Sequence, residues 1–352
     1  MKIHKIILSA LCGVMLSAGT AQAAEKVSFI LNWVAGGDHA PVYWAKAQGW
    51  YRDAGIDLNI EQGKGSTLSS QRVGIGKNQL GIADLGTALV NKGKGADLVA
   101  VFNIYANSPY GFYWKKSSGI KSIKDFAGKK IGNPPWDAAR QMWPAFAKAS
   151  GMAPDSVTWV NIKPNAKIAA LKSDAIAVTT SFYNIHFIFQ KVFGDDMGFV
   201  AGKDIGVNPY GNSVIANGKY LKANPGVVKN FVKVTQKAYA ACAKNADPCI
   251  DALLAANSGL KRGSSLANWA LVKELMDADS SRNGAIGYFD FTGDMNTCIA
   301  IRTMVMKNKN AYFQSGAGII YDSDPEKEFD ETVSKARAIN SAIDLAENGL
   351  IT

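Results

Sequence analysis

The stretch VSFILNWVAGGDHAPVYWAKAQGWYRDAGIDLNI at residues 27–60 decides the fold. Its first five residues, 27–31, and its last five, 56–60, are short apolar runs rich in strand formers, and they predict two strands. Between them, residues 41–48 predict a helix that ends at Gly49. Strand, helix and strand in this order form a βαβ unit.

The alternation continues along the chain and predicts an α/β fold. Repeated βαβ units imply parallel sheets with helices on both faces. Because the series restarts after a crossing near 105–113, we expect two lobes: residues 24–106 with 213–281, and residues 107–212, with the return crossing near 202–212. Further predicted strands are 80–83, 98–103, 130–132, 158–162, 175–178 and 198–200; further predicted helices are 67–73, 88–92, 137–149, 166–172 and 183–193.

Composition excludes several classes of protein. The 352 residues are 47% hydrophobic and 19% charged, with a net charge of +10 and three histidines. This length and apolar content suffice for two cores, which excludes wholesale disorder. Without runs of like charge, the chain is not typical of a nucleic-acid binder, and we expect no nucleic-acid partner.

The first 23 residues have the pattern of a secretory signal. Lys2 and Lys5 form a basic start, residues 6–16 are apolar, and the small residues Ala21 and Ala23 flank Gln22. This apolar run is shorter than the ~20 residues that span a bilayer. We therefore expect cleavage after Ala23 and export to the periplasm.

Export changes how the cysteines are interpreted. In an oxidising compartment, Cys242 and Cys249 are close enough in sequence to form a disulfide; the alternative is two buried thiols on helices. Neither His39 nor His186 has a ligand spacing from a cysteine. We expect no metal and no cofactor.

Four strand-to-helix turns hold the polar and aromatic residues that suit ligand binding: 32–39, 63–66, 84–87 and 179–183. In open α/β sheets, ligands bind beyond the carboxyl ends of strands. None of these turns has the pattern of a phosphate-binding loop. The chain therefore gives no sign of a nucleotide site.

The candidate ligand-binding residues are aromatic and polar side chains in or near these turns. Aromatic rings can stack on a planar ligand, and polar groups can fix its orientation. The alternatives are core packing for the aromatic residues and helix capping for Asp38 and His39. The candidates are Trp33, Trp136, Phe182, Tyr183 and Tyr210 for stacking, and Asn32, Asp38, His39, Ser66, Asp84, Thr180 and Asn212 for hydrogen bonds.

Residues 24–281 resemble a family of periplasmic binding proteins. The motifs are NW at 32–33, DHAP at 38–41, GWYRDAGID at 49–57, QLGIAD at 79–84 and IKDFAGKKIG at 123–132. They are similar to proteins of thiamine-pyrimidine-precursor synthesis and uptake, in a wider group that takes up taurine, sulfonates and nitrate. The resemblance implies a two-lobed (type II) solute receptor without catalytic residues, whose partner is the permease of an ABC importer. We expect a monomer.

Two ligand classes remain open. The candidate turns hold more aromatic and acidic residues than arginines, which favours a small planar heterocycle such as a thiamine pyrimidine precursor. The alternative is an anion such as taurine, another sulfonate or nitrate, because the basic body of the chain would steer anions towards it.

The C-terminal residues, 282–352, resemble a different family. The motifs NGAIGYFDF at 283–291, CIAIRT at 298–303 and QSGAGI at 314–319 are similar to the end of anthranilate synthase component I. That resemblance implies carboxylate contacts to chorismate from Arg302 and the turn Gly316, Ala317 and Gly318, and magnesium ligation near Glu328 and Glu331. Because the rest of that active site has no counterpart in the chain, we expect an inactive tail, with a strand before a turn at 307–310 and a helix after it.

The first prediction concerns processing. Protein purified from the periplasm should have lost about 23 residues and begin at Ala24, because the basic start, apolar run and cleavage site occur in the order that a signal peptidase requires. Intact-mass measurement checks this. A full-length product in the cytoplasm would contradict it.

Overall fold

The computed structural model describes residues 24–276 and four short strands of the tail. The expected signal peptide lies outside the described residues. The strands are β1 Glu25–Ile30, β2 Ile56–Glu61, β3 Leu80–Asp84, β4 Leu98–Asn103, β5 Tyr110–Lys115, β6 Lys130–Asn133, β7 Thr158–Asn161, β8 Val178–Phe182, β9 Met197–Ala201, β10 Asn212–Asn217, β11 Tyr288–Phe289, β12 Met295–Asn296, β13 Thr303–Lys307 and β14 Asn310–Gln314. The helices are α1 Ala40–Ala47, α2 Trp50–Asp53, α3 Ser66–Gly74, α4 Leu85–Gly93, α5 Ala138–Ala149, α6 Lys167–Lys172, α7 His186–Phe193, α8 Gly218–Ala223, α9 Pro225–Lys244, α10 Asp247–Ala256 and α11 Arg262–Met276.

The first sheet has the strand order β2-β1-β3-β10-β4. β1 is parallel to β2 and β3, whereas β10 is antiparallel to both of its neighbours. Aromatic rings fill the space between this sheet and its helices: Phe231 lies 5.0 Å from Phe29 and 5.1 Å from Tyr51, measured between ring centroids. Each fully buried ring of this size contributes about 2–3 kcal/mol, so this packing fixes α9 against β1.

The second sheet has the order β7-β6-β8-β5-β9. Here β6 is parallel to β7 and β8, and β5 is antiparallel to β8 and β9. Its core is again aromatic, with Phe112 packed edge-on against Trp143 and Phe146 of α5. The two sheets confirm the expected α/β fold class.

The expectation of wholly parallel sheets is wrong. The strands β5 and β10 are antiparallel to their neighbours, and each is the first strand that the chain forms after passing from one sheet to the other. The sequence YGFYWK of β5 is rich in aromatic strand formers. Sequence reasoning assigned residues 110–113 to a crossing and so missed this strand.

Further boundaries also differ from the prediction. The strand expected at 175–178 is β8, at Val178–Phe182, because Asp174 ends the preceding turn with a left-handed φ of 58° and residues 175–177 form no regular secondary structure. The helix expected at 183–193 begins as a 3₁₀ turn at Tyr183–Ile185 and continues as α7.

A disulfide joins Cys242, near the end of α9, to Cys249 in α10, with 6.0 Å between their Cα atoms. Both side chains are buried. The indole Nε1–H of Trp269 in α11 donates to the Cys242 carbonyl at 3.2 Å. The bond therefore lies where α9, α10 and α11 meet.

The tail strands pair only with one another among the described residues. β11 pairs with β12, and β13 pairs antiparallel with β14, with Lys307 opposite Asn310, the two ends of the predicted turn at 307–310. The family-implied chorismate and magnesium positions lie outside the described residues: Arg302, Gly316, Ala317, Gly318, Glu328 and Glu331.

A buried carboxyl connects the two sheets. Asp84 ends β3 and caps α4, where its Oδ1 accepts the Thr87 N–H at 2.9 Å and the Thr87 hydroxyl at 3.1 Å. The same oxygen accepts the hydroxyl of Tyr110, a residue of the second sheet. Burial raises the pKa of Asp84 to about 6, and the hydrogen bond from Tyr110 opposes that rise.

The second prediction is a change in pH dependence for Asp84→Asn. Because the folded-state pKa is raised, the protonated carboxyl stabilises the fold, and this stabilisation is lost as pH rises from about 4 to about 6. The difference from the ordinary value corresponds to about 3 kcal/mol. The free energy of unfolding of Asp84→Asn, relative to wild type, should therefore rise by up to that amount across this range.

Urea unfolding at pH 4, 5, 6 and 7 measures the effect. Asp53→Asn is the control, because Asp53 is exposed and paired with the adjacent Arg52. Parallel pH profiles for wild type and Asp84→Asn would contradict the assignment.

Candidate functional site

A pocket of about 200 Å³ lies between the two sheets. Its walls come from the loop after β1, the first residues of α3, α5 and α6, the end of β8 with the 3₁₀ turn after it, and α11. The lining residues are Asn32, Trp33, Val34, Ala35, Gly36, Asp38, Gly65, Ser66, Asp137, Ala138, Lys167, Ser181, Phe182, Asn184, Ile185 and Asn268.

A relay of hydrogen bonds fixes Asn32 in the pocket wall. The Gly36 amide donates to Nδ1 of His39 at 3.2 Å, so a neutral His39 ring carries its proton on Nε2. Nε2 then donates to Oδ1 of Asn32 at 2.9 Å, and Nδ2 of Asn32 donates to Oδ1 of Asn212 at 3.3 Å. His39 and Asn212 therefore position Asn32 from behind the wall.

The carboxyl of Asp38 is buried in the pocket wall. Its side chain is 7% exposed, and its Oδ1 lies 3.2 Å from Nδ1 of His39. Burial raises the pKa of Asp38, and His39 lowers it in part. Burial also lowers the pKa of His39, which favours its neutral form. A ligand that donates a hydrogen bond or brings a positive charge would therefore compensate the Asp38 carboxylate.

Gly65 allows the segments of the two sheets to meet beside the pocket. Its amide donates to the Asn32 carbonyl at 2.8 Å, and its φ of +135° suits glycine. A Cβ at this position would lie 2.1 Å from the carbonyl oxygen of Trp136. The next residue, Ser66, is held by the Asp84 amide, which donates to its Oγ at 3.0 Å.

The second sheet contributes a buried ion pair. Nζ of Lys167, at the start of α6, lies 2.5 Å from Oδ2 of Asp137 and donates to the Thr180 carbonyl at 2.8 Å. The other oxygen of Asp137 caps α5 by accepting the Ala139 amide at 3.0 Å. Nζ also lies 5.7 Å from the ring centroid of Trp33, which belongs to the first-sheet side of the pocket.

The structure places five of the twelve sequence-predicted ligand residues on the pocket wall. They are Asn32, Trp33, Asp38, Ser66 and Phe182. Their contact with a ligand stays a prediction.

The other seven candidates do not line the pocket, each for a local reason. Asp84 caps α4, and His39 and Asn212 support Asn32. The hydroxyl of Thr180 contacts Asn133 and Asp137. The remaining three are aromatic: Trp136 is 45% exposed, Tyr183 packs against His186 and Phe199, and Tyr210 is half-buried away from the wall.

Sequence reasoning missed Asp137, Lys167, Asn184 and Asn268. Asp137 had a signal, because it begins a predicted helix after a predicted strand, where an N-cap residue is expected. Lys167 had none, since a lysine at the start of a helix is usually solvated. Asn268 reaches the pocket from α11, far along the chain from the predicted turns.

Neither a metal centre nor a membrane span is found in the part of the chain that the structure describes. No three His, Cys, Asp or Glu side chains there are grouped to hold an ion. No helix there is long and apolar enough to cross a membrane.

Solved structures of periplasmic binding proteins share this fold. The alkanesulfonate-binding protein SsuA from Xanthomonas axonopodis pv. citri, bound to MOPS, matches with a TM-score of 0.58 and 16% identity over 71% of this chain and 85% of that chain. SsuA from Escherichia coli gives 0.56 and 15%, over 70% and 83%. The nitrate-binding protein NrtA from Synechocystis PCC 6803 gives 0.51 and 14%, over 66% of each. At these identities the likeness shows the fold alone.

The tail is similar to a second family. The description "chorismate binding enzyme" matches residues 283–341. Anthranilate synthase component 1 from Cereibacter sphaeroides is 56% identical over 59 residues, and that from Aquifex aeolicus is 52% identical over 64. These matches cover 17% and 18% of this chain and only 12% and 13% of the relatives. The resemblance seen in the sequence is confirmed, and it is confined to the tail.

The body of the chain, residues 24–281, contains the pocket. A single family model matches residues 37–248, which is more than half of the whole sequence. The description "NMT1/THI5 like" fits residues 37–248, a span that includes both sheets apart from β1. The chain therefore belongs to the NMT1/THI5-like family.

Proposed function

We propose that this protein is the solute-binding component of an ABC importer and holds a small planar heterocycle, such as a thiamine pyrimidine precursor, between its two sheets. The observation that carries the proposal is the pocket itself. It places Trp33 and Phe182 beside the buried Asp38 and the fixed Asn32. Aromatic faces with a few oriented polar groups are typical of sites for planar ligands.

The size and charge of the pocket support this ligand class. A volume of about 200 Å³ suits a single ring with small substituents better than a larger solute. The charged side chains in the wall are Asp38, Asp137 and Lys167, so carboxyls outnumber ammonium groups. A neutral ring that carries an amino group can donate to Asp38 without adding negative charge to this wall.

An anion receptor is the second candidate, and Lys167 is the observation that favours it. Its ammonium lines the pocket, and the fold is shared with sulfonate- and nitrate-binding proteins. However, Asp137 neutralises Lys167 at 2.5 Å, which weakens its attraction for a full negative charge. We therefore rank taurine, other sulfonates and nitrate below the heterocycle.

The protein is exported to the periplasm as a monomer and delivers its ligand to an inner-membrane permease. Two lobes, residues 24–106 with 213–281 and residues 107–212, close around the ligand by a hinge at the two crossings. The pocket between the sheets supports this arrangement, since residues from both sheets line it.

The third prediction tests the pocket. Wild-type protein should bind 4-amino-5-hydroxymethyl-2-methylpyrimidine with a Kd of about 1 μM or tighter, which corresponds to about 8 kcal/mol. Trp33→Ala removes a stacking surface and Asp38→Asn removes a charged acceptor, so each should weaken binding about tenfold or more. Isothermal calorimetry measures both.

Trp136→Ala is the matched control, because this tryptophan is exposed and lies off the pocket wall. It should leave Kd unchanged. Unchanged Kd in both Trp33→Ala and Asp38→Asn would place the ligand elsewhere, and tighter binding of taurine or nitrate than of the pyrimidine would favour the anion receptor.

The fourth prediction is that the protein has no chorismate activity. The tail matches only about an eighth of the length of its enzyme relatives, and groups that act as a unit lose nearly all activity when their partners are missing. Purified protein with chorismate, magnesium and ammonia should therefore give no anthranilate fluorescence, with an intact anthranilate synthase as positive control. Anthranilate production that disappears in Arg302→Ala would overturn this.

A further inference from the structure

We propose that Lys167 orients the ligand by donating one N–H to an acceptor nitrogen of an aromatic ring that lies against Trp33. The inference rests on the proposed function, because it names the residue that selects and orients a heterocycle in the same pocket.

The contacts of Lys167 leave one donor for a ligand. An ammonium group has three N–H donors. Two of them reach Oδ2 of Asp137 and the Thr180 carbonyl, and the described residues supply Nζ with no third oxygen or nitrogen acceptor. Nζ lies over the Trp33 ring, 5.7 Å from its centroid, which is a cation–π distance. A flat ligand that lies beside Nζ and overlaps the edge of the Trp33 ring would therefore bring an in-plane nitrogen within reach of the third N–H.

The ion pair with Asp137 makes Lys167 a hydrogen-bond donor rather than a binding site for an anion. Its side chain is 7% exposed and that of Asp137 is 9% exposed, so the pair is shielded from water. The positive charge is balanced inside the wall, and a ligand atom needs only a lone pair to accept the remaining proton. An uncharged ring nitrogen meets this requirement.

Asp38 supplies the complementary group on the first-sheet side. It accepts hydrogen bonds when ionised, whereas Lys167 only donates. A ring with an amino group and a ring nitrogen can satisfy both residues in one orientation, and the reversed orientation places donor against donor. Lys167 and Asp38 together therefore determine which edge of the ring faces which sheet.

The experiment compares two ligands that differ in the ring acceptor. The first is 4-amino-5-hydroxymethyl-2-methylpyrimidine, and the second is 2-amino-4-methylbenzyl alcohol, which has the same substituents and no ring nitrogen. Calorimetry is carried out on full-length wild-type protein and on Lys167→Met/Asp137→Asn. Asparagine keeps an oxygen for the Ala139 amide, and because both partners of the ion pair are replaced, the double variant leaves neither a buried carboxylate nor a buried ammonium without its partner.

Wild type should prefer the pyrimidine by about tenfold to a hundredfold, the range of a hydrogen bond to a charged group. Lys167→Met/Asp137→Asn should lose that preference while its affinity for the benzyl alcohol changes little. A lysine with a structural role alone would weaken both ligands equally. Lys172→Met, an exposed change in the same helix, should behave as wild type.

The outcomes separate the two proposals. If wild type binds the pyrimidine and the double variant keeps the preference for it, the role of Lys167 is overturned while the proposed function stands. If wild type binds neither ring, both proposals fail. Thermal melts of every variant identify loss of folding, and in that case Lys167→Arg, which retains a cationic donor, must keep the preference or the role is overturned.

Discussion

The buried carboxyl of Asp84 is the interaction on which the arrangement of the pocket depends. Its side chain caps α4 and accepts a hydrogen bond from Tyr110 of the second sheet, while its backbone amide holds Ser66 at the start of α3. Two helices that pack on the first sheet and an interior strand of the second sheet, β5, therefore meet at one residue. The energetic cost is visible in its pKa of about 6, since a buried carboxylate is stable only where hydrogen bonds replace water. The hydrogen bonds that Asp84 accepts all come from within the protein among the described residues, although it ends a strand at the position where a ligand contact is expected.

The sequence predicts the elements of the fold better than their connections. Apolar periodicity locates β1 to β4, because each is a short buried run between turn residues. It fails at β5 and β10, because periodicity carries no information about strand direction, and an antiparallel strand at a crossing looks like a linker. The residues of the pocket divide in the same way, into those that the sequence pattern locates and those that only the fold brings there. Trp33 and Asp38 follow a strand and are found by position, whereas Lys167 acquires its place from the fold, which buries a residue type that is normally solvated.

The body and the tail, which resemble different families, also differ in charge and in how their strands pair. The body is basic, while residues 282–352 have seven basic and ten acidic side chains. Among the described residues, the tail strands form two-stranded sheets of their own and add to neither five-stranded sheet. A two-stranded hairpin alone is marginally stable in water. The cores on which the pocket depends are therefore built from the body, which is the part that matches the NMT1/THI5-like family.

The charge of the whole chain and the charge of the pocket lead to different expectations about the ligand. A net charge of +10 draws anions towards the surface, and it acts on the rate of encounter over distances of about one Debye length. Discrimination between ligands, in contrast, takes place at the pocket wall, where water is excluded and charges interact over a few ångströms. Among the described residues of the wall, the one lysine, Lys167, is paired with Asp137, and Asp38 has no cation of comparable strength beside it, because burial lowers the pKa of His39 and disfavours its charged form. An anion that reached the pocket would meet a carboxyl without a compensating cation, whereas a ring with an amino group would hydrogen-bond to it. The basic surface is therefore weak evidence about the ligand. The arrangement of the three charged side chains in the pocket wall, Asp38, Asp137 and Lys167, outweighs it.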